Sequence, residues 1–78
     1  MGTVDIQETV DEIVQSDKVY WDEDKFTFDE FEALIKQAVE EVTEWHYSMN
    51  DGEIDDWDVW ESDVMSKVNE LLGNDVGR

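Results

Sequence analysis

Apolar residues return every three or four positions over most of the chain, a period that predicts helices. In the first helix, over residues 4–16, Ile6, Val10, Ile13 and Val14 share one face. Asp5, Glu8, Asp11 and Glu12 lie elsewhere, and Thr3 is placed to cap it. The second, over 28–47, carries the stripe Phe31, Leu34, Ile35, Ala38, Val39, Val42, Trp45 and His46, with Glu40, Glu41 and Glu44 opposite. Thr27 and Glu30 stand just before that stripe in the T-x-x-E arrangement of a capping box. The third, over 55–72, repeats the pattern with Trp57, Trp60, Val64, Val68, Leu71 and Leu72. Gly73 follows where a helix commonly ends on a left-handed residue, and NDVGR beyond it is expected to fray.

Between the first two helices the period changes. Val19, Tyr20 and Trp21 precede the polar run Asp22, Glu23 and Asp24, and Phe26, Thr27 and Phe28 follow it. Short aromatic and β-branched runs around a polar turn predict a small β-hairpin over about 18–28. An isolated hairpin is marginal in water, so this one would have to pack on the helices. The expected fold is mainly α with a small β-hairpin (α+β), three helices around one small core. All 78 residues form a single domain, with Trp45, Trp57 and Trp60 expected in the core and Trp21 partly exposed.

Charge changes the picture. There are 23 acidic residues against 5 basic ones, a net charge of −18. Composition of that kind often means disorder, but disorder also requires few apolar residues, and here 40% are hydrophobic and periodic. A folded domain under self-repulsion is expected, and nucleic acid and anionic membrane are disfavoured as direct partners. No apolar run approaches transmembrane length, and MGTVDIQETV has neither a basic n-region nor an apolar h-region. Ile6 stands where a myristoylation signal needs Ser or Thr. A soluble cytoplasmic protein is the expectation.

Few residues offer chemistry. There is no cysteine, and Ser16, Ser48, Ser62 and Ser66 have no partner set for nucleophilic activation. The single histidine, His46, lies on the apolar side of the second helix and reads as a packed structural residue. The stretch NDGEIDDWDVWE, Asn50 to Glu61, has half of a calcium loop. With Gly52 at the sixth position, Asp51, Ile54, Asp55 and Asp58 fall at the fifth, eighth, ninth and twelfth. The first and third ligand positions, however, are Tyr47 and Met49, and Asp58 is one methylene shorter than the usual bidentate glutamate. A second echo ending at Glu30 fails at Val19, Trp21 and Asp24. The expectation is no enzyme, no metal and no cofactor.

The acids form a pattern. Asp51, Glu53, Asp55, Asp56, Asp58, Glu61 and Asp63 make one cluster, and Asp22, Glu23 and Asp24 a second. Helical acids three or four apart stand about 5–6 Å apart between Cβ atoms, close to the phosphate spacing of a DNA strand, and repel each other there. Size scaling gives a diameter of about 30 Å, and that length of duplex carries roughly 18 charges. A halophile-type surface or plain solubility are competing explanations, but a net charge of about 2–8 already suffices for solubility. The sharper reading makes both clusters phosphate surrogates that dock on a basic DNA-binding protein. Trp21, an aromatic flanked by acids, suits an interface anchor.

In size, aromatic helical core and clusters such as DDWDVWE, Asp55 to Glu61, the chain resembles the small acidic DNA-mimic proteins that phages use early in infection. Among these are inhibitors of restriction enzymes, anti-CRISPR proteins and host-takeover proteins of Bacillus phages, one of which blocks the nucleoid protein HU. The resemblance is one of charge and size, with no motif to align, so no residue role is carried over. It implies a non-enzymatic inhibitor of a basic DNA-binding protein in a bacterial host cytoplasm. It also implies a homodimer that buries surplus apolar surface of the second and third helices. The alternative is an acidic adaptor that binds a division, protease or transcription component through Trp21.

Overall fold

Thr27 and Glu30 each satisfy the other's backbone. The Thr27 N–H donates to Glu30 Oε1 at 3.1 Å, and the Glu30 N–H donates to Thr27 Oγ1 at 3.2 Å. This reciprocal cap, worth about 1 kcal/mol, starts the longest element, α2 (Phe28–Met49). A computed structural model of the chain describes residues 5–16, 19, 21–49, 54 and 56–73. Two further helices are seen, α1 (Ile6–Gln15) and α3 (Trp57–Leu71). Asp5 caps α1, its carboxylate accepting from the Glu8 N–H at 3.1 Å; the helix starts two residues later than expected, with Asp5 in the role given to Thr3. Thr3 and the NDVGR tail lie outside the described residues. Asp56 caps α3 through the Val59 N–H at 3.3 Å, and Gly73, at φ +76°, closes it by donating to the Glu70 carbonyl at 3.1 Å. A residue with a Cβ would be strained at that φ.

The expected β-hairpin is not formed: the described residues contain helices and turns and no strand. Asp22 is the reason. Its carbonyl accepts from both Lys25 and Phe26 N–H at 3.2 Å, and its carboxylate accepts from the Asp24 N–H at 3.0 Å. The backbone donors that a strand would offer to a neighbour are thus used within one tight turn. Thr27 is taken by the α2 cap and Phe28 by the helix itself, leaving too little chain for a second strand. The aromatic residues that suggested cross-strand pairs pack locally instead. Trp21 meets Phe28 edge-on at 5.4 Å and Phe31 at 6.4 Å, covering the first turn of α2.

Both α1 and α3 pack on α2, and among the described residues no Cα of α1 comes within 8 Å of α3. Two contacts fix the direction of α3. His46 meets Asp63, and Glu41 meets Lys67, so α3 runs antiparallel to α2. The core is Val10, Ile13, Val19, Phe31, Ile35, Ala38, Val39, Trp60, Val64, Val68 and Leu72. Each larger side chain among these contributes about 1.5–3 kcal/mol by burial, and in so short a chain the sum is modest.

Two of the three tryptophans expected in the core are not there. Trp60 is fully buried, but Trp57 is 40% exposed and Trp45 58%. Trp57 lies in the first turn of α3, where its ring leans on Trp60 at 4.5 Å and covers it from solvent on one side. Trp45 is displaced by its neighbours. In the last turns of α2 the buried positions are Val39, Thr43 and His46, which share one helix face; His46 meets Asp63 of α3, and Trp45 is left on the flank of that face.

Candidate partner-binding surface

The candidate acids occupy different environments. Glu23 and Asp24 are exposed in the turn that Asp22 organises, and Asp22 itself is half-buried. Asp56 is the α3 cap, and Asp58 stands exposed in the first turn, where a carboxylate also favours the helix dipole. Asp51, Glu53 and Asp55 lie outside the described residues. The rest of that cluster divides around α3, because residues two apart on a helix do not share a face. Asp58 and Glu61 border a shallow depression with Ser62, Met65 and Asn69. Asp63 lies on the opposite flank, 3.0 Å from His46 Nε2, and belongs to the α2–α3 contact.

Trp21 is exposed to 37%, but its ring is engaged by Phe28 and Phe31. Trp45 is the more open aromatic. Its indole stands edge-on to the buried His46 ring, 4.9 Å between centroids, so the side chain is backed but not covered. A groove of about 250 Å³ between α2 and α3 is lined by Glu41, Val42, Trp45, Asp63 and Lys67. A second depression is lined by Glu41, Glu44, Trp45 and Ser48, and at 3.6 residues per turn Glu44 and Ser48 fall on the flank of Trp45 away from Val42. Trp45 is therefore a ridge between two acid-edged hollows. Met49, one turn further along α2, and Val59, one turn before Asp63 on α3, are also exposed.

One lysine enters this surface. Lys67 Nζ lies 3.0 Å from Glu41 Oε1 and 3.3 Å from Glu70 Oε1. Its hydrogen bond holds the Glu41 carboxyl below the usual range, aided by the Gln37 amide at 3.1 Å, and Glu41 and then Glu70 push the Lys67 ammonium up. Both groups sit in solvent, so the pair is weak. Among the described residues no three acidic or histidine side chains converge as a metal-binding set, and no helix is long and apolar enough to cross a membrane.

Sequence reasoning expects Trp21 to be partly exposed, as it is, and places Trp45 in the core, where it is not. The signal was the width of the α2 stripe: Trp45 and His46 are adjacent, and one helix face turned to one neighbour cannot bury both. Comparison with family models, curated proteins and solved structures finds no match. The chemistry of this surface rests on its own residues.

Proposed function

We propose that the protein is a non-enzymatic DNA-mimic inhibitor, which occupies the DNA-binding surface of a basic host protein in a bacterial cytoplasm. The observation that carries this reading is charge in excess of any structural use. The chain bears −18, and acids away from helix N-termini such as Glu23, Asp24, Glu40 and Glu44 face solvent. The long axis of the molecule is 40 Å, and a duplex of that length carries about 24 phosphate charges, the same order. Carboxylates at helical spacing cost folding energy, and a basic partner turns that cost into attraction.

Displacement tests it. A labelled duplex bound by the nucleoid protein HU, by a restriction enzyme or by a CRISPR nuclease is titrated with the protein at low and physiological salt. Release that weakens steeply with salt supports the reading, and no release from any of the three removes it.

The adaptor reading has an observation of its own, the open Trp45 ridge. With Trp21 engaged by Phe28 and Phe31, an adaptor would anchor through Trp45. Such an adaptor would hold its partner in high salt and would not be displaced by duplex.

A further inference from the structure

We infer that Trp45 is an arginine-docking ridge, and that its occupant is a basic amphipathic segment of the partner protein. The inference deepens the mimic reading and rests on it for the partner's charge.

An exposed indole backed by a buried ring is a rigid apolar platform, and tryptophan is the strongest aromatic acceptor of a cation on its face. Glu41 borders the hollows on both sides of the ring, and Glu44 borders one of them. A guanidinium is planar, stacks on an indole and donates to carboxylates in the same plane, which a lysine ammonium cannot do. The two hollows differ. The one between α2 and α3 has walls of carbon, supplied by Val42, the indole and the Lys67 methylenes, and Lys67 already holds its Glu41 edge. It suits an aliphatic side chain. The hollow lined by Glu41, Glu44 and Ser48 has no lysine in its lining; with both Glu41 oxygens engaged by Lys67 and Gln37, Glu44 is the carboxylate that receives the guanidinium. Met49 and Val59 extend the apolar strip for further side chains of the same segment.

Charge complementarity selects this occupant over a second copy of the chain. Two copies would each bring a charge of −18, and the acids that border Trp45 would face acids. A basic segment meets the same border with attraction.

The probes are two short peptides of equal charge, one alternating arginine with leucine and one alternating lysine with leucine. Binding is measured at two salt concentrations, with the Trp45 indole N–H followed by NMR. The arginine peptide should bind about two- to fivefold tighter than the lysine peptide and shift the Trp45 signal. Trp45→Ala should erase that preference and leave the melting temperature nearly unchanged, since the ring is largely exposed. Glu44→Gln should weaken the arginine peptide more than the lysine peptide. Equal binding of the two peptides, or a preference that survives Trp45→Ala, overturns the inference. A Trp45 shift that follows protein concentration alone also overturns it, in favour of self-association. The two readings fail separately. Duplex release from HU that persists in Trp45→Ala keeps mimicry and removes the anchor. Arginine preference at Trp45 without duplex release keeps the anchor and removes mimicry.

Discussion

His46 Nε2 and Asp63 Oδ2 lie 3.0 Å apart, joining a buried ring on α2 to a half-exposed carboxylate on α3. The contact holds the two helices at one register and removes Asp63 from the set of free surface acids. Asp63→Ala should lower stability by about 1 kcal/mol. In a domain of this size that is a fall of about 4–8 °C in Tm. Asp63→Asn, which keeps a polar group in reach, should lose less. Melting followed by circular dichroism decides it, and an unchanged Tm in Asp63→Ala would show that the pair contributes nothing.

Thr43 Oγ1 and Trp60 Nε1 are buried without a hydrogen-bond partner among the described residues. An orphaned buried hydroxyl costs about 1–3 kcal/mol. Thr43→Val retains the branched shape and removes the hydroxyl, so it should stabilise the protein by about 1 kcal/mol, read as a raised urea midpoint with an unchanged slope. Trp60→Ala acts in the opposite direction. Emptying that site should cost about 3–5 kcal/mol, enough to unfold a domain whose whole stability is a few kcal/mol.

The Glu41–Lys67 pair predicts a pH profile. Glu41 titrates below its ordinary value of 4.5, so its contribution is complete above that value and is lost as pH falls through the depressed pKa. Lys67 titrates above 10.5, so its contribution is complete below that value and is lost as pH rises through the raised pKa. The stability difference between the wild type and Lys67→Met should therefore be flat between about pH 5 and 10 and shrink at both ends. A difference that does not vary from acid to alkali would assign the effect of Lys67 to packing alone.

Salt should stabilise this protein. At 0.01 M the Debye length is about 30 Å, most of the molecule, and at 1 M it is about 3 Å. Repulsion among acids in a chain of charge −18 is therefore screened, and sodium chloride should raise Tm by several degrees. A fall in Tm would mean that ion pairs such as Glu41–Lys67 outweigh the repulsion.

The helices were legible in the chain from their apolar period, and two of their ends from single residues, although the start of α1 was not, since Asp5 caps it in place of Thr3. Thr27 and Glu30 sit together at the start of α2, and Gly73 lies just past α3. The segment from Trp21 to Phe28 was misread because aromatic runs around a polar turn look alike whether they pair across strands or fold onto a helix. What decides is where the Asp22 oxygens go, and composition does not carry that. Among the candidate site residues, the exposure of Glu23, Asp24 and Asp58 follows from their charge. The separation of Asp58 and Glu61 from Asp63 was already contained in their spacing. That one of the adjacent Trp45 and His46 must be exposed was contained in the sequence too, but which one depends on the flank of α2 that receives α3, and only tertiary packing settles that.

Among the described residues the close backbone contacts of α1 and of α3 are all with α2, so α1 can swing away while the α2–α3 pairing stays closed. Amide hydrogen exchange should then be slowest in the middle of α2, and α1 should exchange through an opening that leaves α3 protected. Detachment of α1 would uncover Val10 and Ile13 together with the part of α2 they cover. Trp45 and its hollows belong to the other pairing, so the surface proposed for a basic partner would survive that opening intact.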